Sequence, residues 1–396
     1  MDCVNVGICG LGTVGSGVAN LLMRNGEEIQ RKTGRSISLV HVGARRDHPD
    51  CDLSGIQVSR DIFAVVNDPQ VDIVCELIGG TDTALELVRQ AIKNGKHVVT
   101  ANKALVAQYG EELFCLANAA GVSLMYEAGI AGGIPIVKAI REGLAGNRIS
   151  RLAGIINGTS NYILTEMEVG GNRSFAEVLV EAQALGYAEA DPTFDVEGID
   201  AAHKLTILSS IAFGVPLRFD AIYTEGIANI TVEDIRFASE LGYRIKHLGI
   251  TTRSELGIEL RVHPTLVEKT HLLAQVNGVM NAVLVDSDAA GQTLYYGAGA
   301  GAGPTGSSVV ADIIDIARNF PDGQRIPNLG FEPEALLDLP ILSINETRSC
   351  HYLRLQVLDR PGVLARISTI MAQHNISIES LIQKDVHKTT APIAII

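Results

Sequence analysis

From Leu185 to Leu205 the chain reads LGYAEADPTFDVEGIDAAHKL, which places Glu189, Asp191, Asp195, Glu197 and Asp200 within twelve positions, just ahead of Lys204. Asp200 and Lys204 are four residues apart, so on a helix they share one face, with Asp200 near the end that favours negative charge. Three chemistries fit this pattern. It could be an acidic loop leading into a helix that carries an exposed ion pair, or a carboxylate set for a divalent metal. It could also be a pocket whose carboxylates hold a substrate ammonium while the lysine, its pKa lowered by burial or by a second cation, exchanges a proton with an oxygen. His203 lies about 100° round the helix from Lys204 and reads as a satisfied histidine near the core.

A second group of residues, Gly10-Leu11-Gly12-Thr13-Val14-Gly15, spells G-x-G-x-x-G directly after an opening apolar strand and at the head of an amphipathic helix. In that context Gly10 allows a tight turn, Gly12 lets backbone N–H groups approach a pyrophosphate, and Gly15 lets helix and strand pack closely. At the end of the next strand, where an acidic residue would take the ribose hydroxyl of NAD, stand Arg45 and Arg46. Guanidinium groups there suit a 2′-phosphate, so NADP is expected, with NAD as the alternative.

These residues need elements to hold them. Over residues 1–130 the runs CVNVGIC, SISLVHVGA, DIVCELIGG, KHVVTAN and VSLMYEA alternate with helical stretches such as TALELVRQAIKNG. This is an α/β pattern that predicts a doubly wound parallel sheet of Rossmann type, with Lys103 following the fourth run at the carboxyl edge where ligands bind. Residues 131–319 read as a second, α+β domain: a Gly-rich turn, several helices, and antiparallel strands between Tyr243 and Tyr296. The helix over 303–319 is expected to return to the first domain. Residues 320–349, richer in Pro and turn residues, read as a linker, and 350–396 as a small βαβ module. The formal charge of −13 argues against a polyanion-binding surface, and no apolar run approaches the ~18 residues of a membrane span. The N-terminus enters a strand at once, which predicts a cytoplasmic protein, and six scattered cysteines predict free thiols.

The strings GICGLGTVGSGV, TANKAL, EAGIAGGIPI, GIINGTSNYILT and LGYAEADPTFDVEGIDAAHKL, in this order, resemble homoserine dehydrogenase over residues 4–318. The resemblance implies interconversion of L-homoserine and L-aspartate 4-semialdehyde with NAD(P), on the route to threonine, methionine and isoleucine, in a homodimer or larger homo-oligomer. It implies that Lys204 is the proton donor, that Glu189 and Asp200 contact the two ends of homoserine with Asp195 beside them, and that Lys103 stands where cofactor and substrate meet. Gly186 and Gly303 become further backbone approaches to the cofactor. Glu127, Ile130, Gly132 and Ile134 resemble the family's monovalent-cation loop, a sodium site. Asp359-Arg360-Pro361-Gly362-Val363-Leu364 resembles an ACT domain, a ferredoxin-like module that binds amino-acid effectors. It implies threonine as effector, although the module has room for only part of the βαββαβ pattern. A non-catalytic dinucleotide and amino-acid sensor, or another Rossmann amino-acid dehydrogenase, are the rival readings.

Overall fold

Val4, Val6 and Ile8 are fully buried along β1 (Cys3–Cys9), because this strand lies inside a sheet covered on both faces. The computed structural model describes residues 3–171, 173–323, 326–384 and 389–396. The first sheet adds β2 (Ser36–Gly43), β3 (Gln57–Ser59), β4 (Ile73–Glu76), β5 (His97–Thr100) and β6 (Leu124–Met125) in the parallel order β3-β2-β1-β4-β5-β6. That is the order of a Rossmann fold, whose ligands lie outside the carboxyl ends of the strands. The short β3 was not visible in the sequence: its three residues, Gln-Val-Ser, lie partly in solvent at the sheet's edge and carry no apolar alternation.

The second sheet is mixed. It consists of β7 (Ile149–Ile155), β8 (Tyr223–Thr224), β9 (Tyr243–Arg253), β10 (Ile258–Glu268), β11 (Met280–Ser287) and β12 (Gly291–Ala298), in the order β12-β11-β7-β9-β10-β8. The helix Ile199–Phe213 packs on it: Leu205 lies against Gly249 of β9, and Ser209 hydrogen-bonds Thr251 at 3.0 Å. Buried side chains of the helices Asp82–Lys93, Lys103–Ala120 and Ile199–Phe213 form one continuous core with residues of β10 and β11, so the two domains are fused through their interiors.

The helix Ala302–Asn319 lies against the helix Thr13–Arg24 of the first domain. A Cβ on Gly17 would stand only 2.1 Å from the carbonyl oxygen of Ala302, so this crossing requires glycine. Residues 326–349 of the stretch that reads as a linker are packed on the core. Leu337 N–H donates to Gly214 O at 2.8 Å, Ile258 N–H to Pro340 O at 2.9 Å, and Leu342 N–H to Ile258 O at 2.8 Å. Leu336, Leu339 and Ile341 lie on the core, and these apolar residues secure the strap.

The third sheet, β13 (Leu353–Leu358), β14 (Leu381–Gln383) and β15 (Thr390–Ile395), is antiparallel with β15 central. It docks on the helix Val232–Glu240 through Arg354 to Glu233 and Asp234 at 2.7 and 2.8 Å, and through Tyr352 O–H to Asp234 at 3.0 Å. Among the described residues no helix is long and apolar enough to cross a membrane, and all six cysteines are free thiols.

Candidate functional site

Asp200 opens the helix Ile199–Phe213 just after Gly198, whose φ of +83° provides the left-handed turn into the helix. Lys204, one turn on, reaches back to it, with Nζ 2.7 Å from Asp200 Oδ2 and 2.7 Å from the carbonyl oxygen of Ile156 at the end of β7. The second lysine comes from the other domain. Lys103 is the first residue of the helix Lys103–Ala120, capped by Asn102, and its Nζ is 3.0 Å from Asp200 Oδ1. One buried carboxylate thus joins two ammonium groups across the crevice between the sheets, where the sequence alone allowed an exposed ion pair.

Two residues that sequence reasoning did not single out complete the arrangement. Asn157 caps the helix Gly158–Val169 through Ser160 N–H, and its Nδ2 donates to both Asp195 Oδ1 and Asp200 Oδ2 at 2.8 Å. The Thr159 hydroxyl lies 3.0 Å from Asp195 Oδ2 and 2.6 Å from Tyr187 O. The signal was the Asn-Gly-Thr that follows an apolar run, a helix-capping pattern that does not reveal which distant carboxylates it will meet.

Electrostatics separate the groups. Burial alone would raise the Asp200 carboxyl, yet Lys204 and Lys103 hold it well below the ordinary carboxylate range. Burial lowers Lys204, Asp200 opposes that shift, and Lys103 adds to it. Lys103 moves the other way, raised by Asp200 against its own desolvation. Asp195 is raised by burial and by the charge of Asp200. Glu189 sits in solvent on the rim, near enough for its charge to act on Lys103. Asp191 is taken up with the N–H and hydroxyl of Thr193 at 3.1 and 2.6 Å. The acidic residues therefore do not converge, and among the described residues no group of three or more His, Cys, Asp or Glu is placed to hold a metal ion.

The glycine turn is built as its spacing predicts. Gly10 has φ +103°, and a Cβ there would lie 2.5 Å from Leu77 O, while one on Gly15 would lie 2.0 Å from Gly10 O. Around Gly12 there is open space, and no side chain caps the helix that Gly12 begins. Leu11 is buried, Thr13 exposed and Val14 half-buried, so the turn offers backbone to a ligand more than side chains. Arg45 and Arg46 are exposed beyond β2, joined by a guanidinium the sequence did not suggest. Arg60 is held by both Asp47 oxygens at 2.9 and 3.0 Å and donates to Ala44 O at 3.2 Å. Gly186, with φ +75°, and Gly303 both face open space. These features fit a dinucleotide.

The loop from Glu127 to Ile134 differs in one respect from the expectation. The Glu127 carboxylate accepts the N–H groups of Val137 and Lys138, each at 2.9 Å, so its side chain serves the following helical turn. The other hard oxygens of the loop are the backbone carbonyls. Of these, Gly132 O accepts Ser308 Oγ–H at 2.7 Å and Ile134 O accepts Ile136 N–H at 2.8 Å, each keeping one lone pair.

Family models of homoserine dehydrogenase match this chain in two parts, the NAD binding domain over residues 10–127 and the homoserine dehydrogenase model over 135–314, and an ACT domain model matches 351–396. The homoserine dehydrogenase of Pseudomonas aeruginosa is 60% identical over 387 residues, covering 97% of this chain and 89% of the relative. The crystal structure of a homoserine dehydrogenase from Thiobacillus denitrificans superposes with a TM-score of 0.94 at 57% identity, covering 100% of this chain and 91% of that one. A hyperthermophilic archaeal homoserine dehydrogenase in complex with NADPH gives a TM-score of 0.68 at 25% identity, covering 82% of this chain and 100% of that one. With its Rossmann sheet, its lysine-flanked carboxylate and these relatives, the chain belongs to the homoserine dehydrogenase family.

Proposed function

We propose that this chain interconverts L-homoserine and L-aspartate 4-semialdehyde by hydride exchange with a nicotinamide dinucleotide, using Lys204 as the proton donor and acceptor and preferring NADP to NAD. The observation that carries the reading is the buried Asp200 shared by Lys204 and Lys103. When bound, the nicotinamide supplies or takes the hydride. Hydride arriving at an aldehyde carbon leaves negative charge on the oxygen, and Lys204, with two of its three N–H donors engaged and its pKa lowered, is suited to protonate that oxygen. In the opposite direction its neutral amine takes the hydroxyl proton. Lys103, kept charged by Asp200, stabilises the developing oxyanion without giving up its own proton.

Glu189 on the rim and Asp195 behind it would hold the substrate ammonium, with Asp200 fixing the lysines. Backbone from Gly10 to Gly15 would hold the pyrophosphate, with Gly186 and Gly303 giving close backbone approaches, and Arg45 would take the 2′-phosphate. The carbonyls of Glu127, Ile130, Gly132 and Ile134 would hold a monovalent cation, sodium by family likeness, as a brace for the loop. The ACT match supports an amino-acid effector such as threonine, and the long strands β9 to β12 suit a shared sheet in a homodimer. A pure sensor would have no use for two lysines on one buried carboxylate.

Homoserine oxidation followed by absorbance of the reduced nicotinamide tests the reading. Turnover is expected with both cofactors and faster per unit concentration with NADP+. Arg45→Ala should weaken NADPH binding by ~1.5–3 kcal/mol and leave NADH binding nearly unchanged. No turnover with either cofactor would refute the activity, and equal losses for NADPH and NADH would refute the assignment of Arg45.

A further inference from the structure

Lys103 is an ammonium at the wrong end of a helix. As the first residue of Lys103–Ala120 it stands where the helix dipole is positive, so something other than the helix must hold it there. Asp200 does so on one side, at 3.0 Å. On the other side lies the ring of Phe194, with Nζ 5.5 Å from its centroid, within the range at which the negative face of an aromatic ring attracts a cation. Phe194 belongs to the single turn Thr193–Val196 of the acidic segment and is 38% exposed, an unusual position for a large apolar residue between two aspartates of a polar site.

The ring is not left to swing. Its other neighbour is His203, stacked at 5.5 Å and 26°, which stacks in turn on Phe219 at 4.1 Å and 10°. His203 Nε2 meets the Gln108 side-chain amide at 3.3 Å, and Gln108 is on the same helix as Lys103. The column therefore fastens the substrate segment of one domain to the lysine-bearing helix of the other. Burial holds His203 neutral, with its pKa down to about 4, so the column adds no positive charge beside the two lysines.

We propose that Phe194 is a positioning residue for Lys103, its ring face holding the ammonium against Asp200 and its place fixed by the His203 and Phe219 stack. This rests on Lys103 acting in homoserine turnover as proposed above. The groups whose charge acts on Lys103 are Asp200, Asp195 and Glu189, with Lys204 and His203 close by on the facing helix.

The test is a series of full-length chains carrying mono-, di- and trifluorophenylalanine at position 194, which weakens the ring's negative face at nearly constant shape. Phe194→Leu and Phe194→Trp are measured beside it. In homoserine oxidation, log kcat/KM is expected to fall steadily with each fluorine. Phe194→Leu should lose about 3- to 30-fold and Phe194→Trp should recover to within about twofold of the parent, with NADPH affinity unchanged throughout. Independently of any substrate, the Lys103 amine followed by 15N NMR should titrate about half a unit to one unit lower in the trifluoro chain. A flat titration across the fluorine series overturns the proposal whether or not the chain turns over homoserine. Loss of activity in Phe194→Leu with no response to fluorine would reduce the ring to a filler.

Discussion

Asp200 sits between two ammonium groups, which supports the two tasks proposed for the lysines. Lys103 is raised by that carboxylate, whereas Lys204, more deeply buried, is lowered despite it, and groups driven apart in this way divide into a fixed charge and a proton carrier. Lys204→Ala is therefore expected to cut kcat by ~10² or more while leaving NADPH affinity within a few-fold, since Lys204 touches Asp200 and Ile156 and not the glycine turn. The pH dependence has a definite sign. With Lys204 as the proposed proton acceptor, oxidation requires its neutral form, so kcat/KM for homoserine should rise with pH and level off at an inflection below the 10.5 of an ordinary lysine, and the reductive direction should fall over the same range. An unchanged kcat in Lys204→Ala, or an inflection that survives it, would remove Lys204 from the chemistry.

Among the elements, the two helices proposed to flank the cofactor can approach closely because glycines meet where they cross. A Cβ on Gly306 would lie 3.1 Å from the Gly17 backbone, a tight but adjustable fit, whereas one on Gly17 would collide with Ala302 O. Gly17→Ala should force the helices apart, lowering stability by ~1–3 kcal/mol and weakening NADPH while leaving homoserine KM nearly unaffected; calorimetry and fluorescence titration would measure both. Equal stability and affinity would mean that the crossing yields more easily than its geometry suggests. The elements around this groove were legible in the sequence because their signals are local. Buried strands such as IVCE and HVVT read as apolar runs, and G-x-G-x-x-G directly follows the opening strand Cys3–Cys9. The rest depended on distant partners. The edge strand Gln57–Ser59 has no pattern of its own, and the strap over 326–349 looked like a linker because its anchors, Gly214 and Ile258, lie far away in sequence. Asn157 and Thr159 were hidden for the same reason, since their carboxylate partner at Asp195 is more than 35 residues on. The family's carboxylates and lysines could be named from their motif, but not the fact that one carboxylate serves both lysines.

Folding also buries a carboxyl that has no part in the proposed chemistry, and this makes stability depend on pH. Glu76 ends β4 with no exposure to solvent; its Oε2 accepts Thr100 O–H, its Oε1 accepts Ile78 N–H at 3.0 Å, and Thr100 Oγ1 also takes the N–H of Asn102, which caps the Lys103 helix. Burial pushes the Glu76 carboxyl up to about 7, with these hydrogen bonds opposing the shift only in part. Below its unfolded value near 4.5 the group is protonated in both states and its burial is at its most favourable. Between about 4.5 and 7 only the unfolded chain gives up the proton, so stability falls as pH rises and the loss is complete above about 7. Glu76→Gln keeps an acceptor for Ile78 and can donate to Thr100, yet it cannot ionise. Its stability relative to the parent should therefore increase from pH 5 to pH 8 by roughly 2–3 kcal/mol, as measured by urea unfolding. A shallower slope should remain in the variant, because Glu127 is also raised to about 7, by burial and by Asp312. Parallel stability curves for Glu76→Gln and the parent would mean that the folded chain ionises Glu76 as readily as the unfolded one, and that the Thr100 and Ile78 contacts offset its burial in full.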